Sequence, residues 1–496
     1  MTTVPFSTLL RLELRRVYRS GPLWIIIVGV VVAATLGARN GAALHARQRA
    51  DAAAVAAAEA AWYADVEDRA RRFSQPSKTP LPYWQDPTDA AAFSRYFLRR
   101  HPIKPHLPLS ALAVGHSDLQ PYAVPVRLET PFGGDPVYDY EHPRTLSIGM
   151  FDLGFVLLWI LPVGVIAIAA LAGAIERDHG ILPLVASQPV TAARWFAARG
   201  FAILALVVPA WCGTTMLALA LTGVPLLAHV GEVVAGVTLI AIFAAFWVVV
   251  TLAAIARGAG VVSGLATAVA VWLTLMAALP LAVTAAISMA APPPSYERYV
   301  EDLRNVKDAV EGERDRIVAR AVADDTGQRP EAMDATRFDY STRLTLLTPE
   351  IERRLQTHQT ARERQAAISR RAARVLKWLS PQMAFQSAIE DLAGTSVRRH
   401  DRFTAAVRSF QVELRGFMYP RVLQQAVAPA RPACAGCPAR LNFTDYRSIP
   451  AFTFHEPSAR NRVQRALVSA AWLAAVAAVI AAFAIGRARW ALDRPV

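Results

Sequence analysis

"FDLGFVLLWILPVGVIAIAALAGAIERDHGILPLVASQPVTAARW" runs from Phe151 to Trp195. Its first half belongs to an apolar run, 148–175, that stops against Glu176, Arg177 and Asp178. About 20 mostly apolar residues suffice to cross a bilayer as a helix, so the run reads as a membrane span. Five further stretches qualify: 22–39, 200–223, 231–256, 261–290 and 466–486. The first is not read as a signal peptide, because no convincing small-residue cleavage site accompanies it and five more spans follow. Composition agrees. Of 496 residues 54% are hydrophobic and 19% charged, below the roughly 25% charge of a soluble domain. The fold class expected is an α-helical polytopic membrane protein with six transmembrane helices.

Lys and Arg beside the span ends set the orientation. Arg11, Arg15, Arg16 and Arg19 precede the first span, and Arg177, Arg194 and Arg199 lie between the second and third. Arg257 follows the fourth, and Arg487, Arg489 and Arg494 follow the sixth. Six spans place all of these on one side, expected to be the cytoplasm, with both termini. The loop "TGVPLLAHVGE" (222–232) carries no Lys or Arg and falls outside. So do two long insertions, 40–147 and 291–465. The net charge of +14 suits loops facing anionic lipid. Long charged tails are absent, so no nucleic-acid partner is expected.

The spans hold almost no charge; Asp152 and Glu232 sit near outer ends. Ion- or proton-coupled carriers usually place ionisable groups at membrane depth, so a self-powered carrier is disfavoured. "GAGVVSG" (258–264) lacks the Lys-Ser/Thr of a phosphate loop and reads as small residues for helix packing. No Walker, H-E-x-x-H or G-x-S-x-G sequence occurs, so no catalytic residue, metal or cofactor is expected in this chain.

In the first insertion "ARQRADAAAVAAAEAAWYADVEDRARRF" (46–73) continues the first span as helix. Prolines then break the chain repeatedly, with short strands expected near "YAVPVRLET" (122–130). His101, His106, His116 and His142 match no metal-ligand spacing and read as exposed loop residues. The second insertion is expected to be mostly α: one helix over 292–326, another over 348–380, then two split at Gly394. Cys434 and Cys437 lie in a proline-flanked loop. Outside the membrane they suit a small structural disulfide; a metal or redox site and free thiols are the alternatives. Cys212, the third cysteine, reads as packing within a span.

Glu176 and Asp178 sit at a helix C-terminus, where the dipole favours cations. Gly180 can stop that helix, and Thr191 can cap the next. Between them "ILPLVASQ" (181–188) is short and apolar. Such a knob fits a protein partner or a helix resting on lipid, and both readings stay open on the residues alone. "ERDHGILPLVASQPVTAARWFAARG" (176–200) resembles the cytoplasmic loop of ABC-2 type permeases. It is especially similar to the permease of nitrous-oxide-reductase maturation clusters. "GMFDLGFVLLWILPV" (149–163) is also similar. "SPQMAFQSAIEDLAGTSVRRHDRFTAAVRSFQ" (380–411) resembles the outer domain, of unknown function, in a bacterial subgroup of these permeases. The Cys434-Ala-Gly-Cys437 insert is outside that pattern.

The resemblance implies the ABC-2 exporter fold in a bacterial inner membrane. It implies a separate ATPase subunit that binds the ATP, and a second permease subunit, identical or paralogous. Glu176, Arg177, Asp178, Gly180, Leu182, Leu184, Ser187, Gln188 and Pro189 are the matching positions of a coupling loop (176–199) that docks on the ATPase. Residues 1–21 would be an amphipathic elbow helix on the lipid surface, with Phe6, Leu10, Leu14 and Val17 on one face. The expected function is a transporter permease, an exporter. The alternative is an assembly of the same build that transmits force or signals to periplasmic or outer-membrane partners without moving a solute. A tail, 487–496, closes the chain.

Overall fold

Apolar runs bounded by capping residues become long helices. The computed structural model of the protein describes residues 4–73, 82–129, 150–256, 260–292, 295–326, 336, 338–427, 440–441 and 443–492. An amphipathic helix α1 (Phe6–Tyr18) leads into α2 (Gly21–Phe73). Next come α3 (Leu153–Asp178), a short α4 (Leu182–Ala186), α5 (Ala192–Leu221), α6 (Val230–Ile255) and α7 (Val261–Ala290). Then follow α8 (Tyr296–Gly312), α9 (Arg314–Thr326), α10 (Tyr340–Leu376), α11 (Pro381–Ala393), α12 (Val397–Val427), α13 (Phe443–Ser448) and α14 (Ala459–Leu492). Six of these, in α2, α3, α5, α6, α7 and α14, are long and apolar enough to cross a membrane, which makes this an α-helical multi-pass membrane protein. Among the described residues there is no sheet. Arg100 with Val126 and Ile103 with Ala123 form isolated antiparallel bridges where strands were expected. Pro121 and Pro125 withhold the donors a ladder needs.

Spans α3 and α7 each widen into a five-residue π turn, at Val156–Ile160 and Thr274–Ala278. Both turns lie just ahead of a proline, Pro162 and Pro280. Proline brings no N–H and crowds the carbonyl four residues back, and bonding five residues apart relieves the clash. Span α6 packs against α3, α5, α7 and α14. Its Leu239, Phe243 and Trp247 are fully buried, as is Trp211 of α5. In lipid such contacts stabilise through close packing more than through release of water.

Ion pairs and caps sort the span ends into two levels. On one, Arg16 of α1 meets Glu176 at the end of α3, and Asp178 meets Val261 at the start of α7. On the other, Asp152 caps the start of α3 and also accepts from the Val114 N–H at 2.6 Å, while Glu232 of α6 pairs with Arg462 of α14 at 3.0 Å. Val114, from the first long insertion, therefore lies at the second level.

As expected, α2 continues far past its span. Its 53 residues extend about 80 Å, against a hydrocarbon core of ~30 Å. Beyond the span, Val66 and Ala70 of α2 share one core with Phe93, Phe97 and Leu128, and with Phe403, Phe410, Leu414 and Met418 of α12. Among the described residues, parts of the two long insertions thus share one core, the body beyond the spans. Arg440 to Asp86 (2.6 Å) and Tyr446 to the Pro87 carbonyl (2.7 Å) also cross between them. The helix expected over 292–326 breaks at Gly312–Glu313 into α8 and α9, where glycine is the weak point. The predicted split at Gly394 is present: its φ of 77° ends α11. Part of the second insertion enters the bundle. Ser380 donates to the Leu275 carbonyl of α7 at 3.1 Å, and Phe385 stacks on Phe243 of α6 with centroids 4.0 Å apart.

Candidate functional site

Glycine at position 180 shapes the end of α3. With φ at 68° it adopts the left-handed backbone that non-glycine residues reach only at a cost. The Ile181 N–H then donates to the Glu176 carbonyl (2.8 Å) and the Gly180 N–H to the Arg177 carbonyl (3.0 Å), the paired bonds of a Schellman stop. The chain turns into α4, where Pro183 lies in the first turn and needs no N–H partner there. No residue of α4 is buried. Leu184 is 67% exposed and Ile181 47%. The Ser187 hydroxyl closes the turn on the Leu184 carbonyl at 2.8 Å. Leu182 and Pro189 are half-buried, Ser187 and Gln188 exposed. The Pro189 carbonyl accepts from the Val4 N–H ahead of α1 at 3.3 Å. Thr191 caps α5 by accepting from the Arg194 N–H, as its place before the helix predicts.

The two acids do not share one environment. Glu176 is only 6% exposed. Its carboxylate takes Arg199 of α5 in two bonds, 2.5 and 3.1 Å, and also pairs with Arg16. Arg199, with no exposed surface, also bonds Glu13 of α1 at 2.9 Å and the Gly173 carbonyl at 2.8 Å, and its guanidinium lies 4.0 Å from the Trp195 ring centre. Two carboxylates and two guanidiniums neutralise one another where α1, α3 and α5 meet. Asp178 is exposed and accepts from the Val261 N–H at 3.1 Å. It opposes the dipole of its own helix yet sits at the N-terminus of α7, where a carboxylate contributes about 1 kcal/mol as a cap. Arg177 is half-exposed.

The structure therefore brings Glu176 and Asp178 onto neighbouring helices and leaves Leu184 free on the surface. Sequence reasoning missed Glu13 and the burial of Arg199, which it used only to orient the chain. Helix α1 packs its Val17 inward, and Phe6 meets Phe201 of α5 edge-on at 6.1 Å.

Other candidates fare differently. Cys434, Cys437 and His142 lie outside the described residues. Cys212 is buried, with its thiol against the Val237 carbonyl, as packing requires. His116 is exposed as expected, but His101 and His106 are not loose loop residues. His101 pairs with Glu59 of α2 at 3.2 Å, and His106 with Gln48 at 2.9 Å. Burial, then the charges of His45, Lys104 and Arg399, holds the His106 imidazole down at about 4. The long α2 supplies both partners, which a loop reading could not anticipate. Among the described residues no three His, Cys, Asp or Glu side chains converge as a metal would need.

A family described as a domain of unknown function (DUF3526) matches residues 350–455. The match takes in most of α10, all of α11 and α12, and stops short of the last span. No curated protein and no solved structure matches the chain.

Proposed function

We propose that the protein is the membrane-spanning permease subunit of an ATP-driven transporter of the ABC-2 type, an exporter, and that residues 176–195 dock its separate ATPase. The observation that carries this is the mounting of α4. An exposed apolar turn bearing Leu184 is fixed to α3 and α5 by the Glu176–Arg199 pair, to α1 by Arg16 and Glu13, and to α7 by Asp178. A turn resting on lipid needs no such bracing. A turn that receives a push does, because each attachment passes displacement to a different span. ATP binds the partner in this reading, and a second permease chain, identical or paralogous, completes the pathway. The elbow side is then cytoplasmic and the body periplasmic, in a bacterial inner membrane.

Leu184→Asp tests it. A charge forced into an apolar groove on the ATPase costs several kcal/mol of docking if it stays unpaired. The variant should insert at normal levels, yet lose the ATPase in a detergent pull-down and lose transport-linked ATP turnover. Wild-type stoichiometry and turnover would overturn the docking role.

A second reading keeps the ATPase but moves no solute: the assembly transmits force to a periplasmic or outer-membrane partner. It is favoured by the unbroken α2, which carries motion of the first span directly into the body core at Val66 and Ala70. Copurification separates the two, since only the second requires a partner on the body.

A further inference from the structure

The helices α12 and α14 start close together, and each opens with arginines. Arg398, Arg399 and Arg402 lie in the first turns of α12, and Arg462 and Arg465 in the first turns of α14. All five line one shallow cleft with Asp391, Ser396, Glu456 and Pro457. Its carboxylates are already matched. Arg465 bonds Asp391 at 2.8 Å, Arg399 bonds Glu456 at 2.6 Å, and Arg462 reaches past the cleft to Glu232 at 3.0 Å. Arg398 and Arg402 have no carboxylate within ion-pair distance among the described residues. Lys377 lies outside the cleft but within its field; burial, and then Arg398 and Arg465, hold its ammonium below the usual lysine range. Arg462 is only 8% exposed, yet its Nε–H has no acceptor. A surplus of positive charge and an orphaned buried donor in one cleft are costly unless an anion fills it. Two helix N-termini add to the pull.

The level of the cleft identifies the source of that anion. The apolar run of the last span begins at Ala466, directly after Arg465. Below it, Trp472 of α14 meets Trp378 with ring centres 5.6 Å apart, and the Lys377 ammonium lies 4.5 Å from the Trp378 ring centre. Tryptophans and snorkelling cations mark the headgroup zone of a bilayer. Half-exposed Arg398 and exposed Arg402 form the open side of the cleft.

We propose that the cleft binds the phosphate of a membrane phospholipid at the body-side surface of the bilayer, held by Arg398, Arg402, Arg462 and Arg465. A phosphodiester supplies acceptors for both unmatched guanidiniums and for the orphaned Nε–H, in charge-assisted bonds. The proposal rests on the multi-pass fold and not on the ATPase reading, so either can fail alone.

The test uses the full chain, purified in detergent and stripped of lipid, with native mass spectrometry as readout. Three probes are titrated: short-chain phosphatidylglycerol, diacylglycerol with the same chains, and inorganic phosphate. Phosphatidylglycerol should form a saturable 1:1 adduct, diacylglycerol none, and phosphate only a weak one. Arg398→Gln with Arg402→Gln should weaken the phosphatidylglycerol adduct by roughly tenfold or more, because hydrogen bonds to a charged group contribute about 1.5–3 kcal/mol each. Lysine at both positions should restore part of it. The substitutions break no ion pair of the cleft, and Arg402→Gln alone, the more exposed change, serves if the double variant is not monodisperse. Unchanged binding by the glutamine variants, or equal binding of diacylglycerol, overturns the site. Phosphate binding as tight as the lipid overturns the lipid assignment.

Discussion

Replacing Arg199 by Met removes the hub of the buried cluster while keeping a long apolar stem. Lost are the two bonds to Glu176 (2.5 and 3.1 Å), the two bonds to Glu13 (2.9 and 3.3 Å), the bond to the Gly173 carbonyl and the stacking on Trp195. Breaking a buried pair from one side costs about 3–5 kcal/mol, because the remaining charge is stranded. Here Arg16 stays on Glu176 and lies 3.6 Å from Glu13, so the lower end, about 3 kcal/mol, is expected. That is a large share of a typical 5–15 kcal/mol but leaves a folded protein. Lysine should rescue only partly, since an ammonium cannot fork across two carboxylates. Two assays report different things. Heating in detergent, followed by the monodisperse fraction, should show a lower midpoint. If the proposed docking holds, pull-down should still recover the proposed ATPase, because Leu184 is untouched, while transport-linked ATP turnover collapses. Wild-type midpoint together with wild-type turnover would refute the view that this cluster braces the docking turn.

Other outcomes follow from the same geometry. Asp178→Ala should cost about 1 kcal/mol as a lost cap and speed amide exchange at 261–264, the first turn of α7, with Asp178→Asn close to wild type. Gly394→Ala should cost roughly 2–4 kcal/mol, from the left-handed backbone and from overpacking; an added Cβ would meet the Leu107 Cδ1 at 2.3 Å, so Leu107→Ala should recover the steric part in a stability assay. His106 and His400 are both held down at about 4, mainly by burial, against 6.5 when unfolded. The unfolded chain therefore binds more protons between these values, and the stability that both provide above pH 6.5 is lost as pH falls toward 4. His106→Gln should flatten that acid-side loss in a thermal scan.

The spans were legible because about 20 apolar residues in a row have few other uses. Local punctuation was legible too: Thr191 caps α5, and Gly394 separates α11 from α12. What the sequence hid depends on contacts between distant residues. Nothing near Val66 announces that it shares a core with Phe403 and Met418. Nor does the chain signal that α11 lies among the spans. At 13 residues it is too short for a hydropathy reading, and its Glu390 and Asp391 look solvent-bound until Gln386 and Arg465 are seen beside them.

The site teaches the sharper lesson about charges that break a local rule. Glu176 and Asp178 are misplaced by the dipole of α3 alone, which invites the inference that both await a partner protein. Each instead has a partner inside the chain, supplied by another helix. A signal for this was present in α1. Glu13 sits beside Leu10, Leu14 and Val17 on the stripe that faces the bundle, and Val17 and Glu13 are its two buried residues. An acid in an apolar stripe needs a cation at the same depth. Arg199, in the apolar "AARGFAIL" that opens the third span, was the available one. With the acids accounted for, the apolar surface of α4 is the feature of the loop still without a partner. The case for docking therefore narrows from nine matching positions to the exposed face around Leu184 and Ile181, and the acids change role from contact to brace.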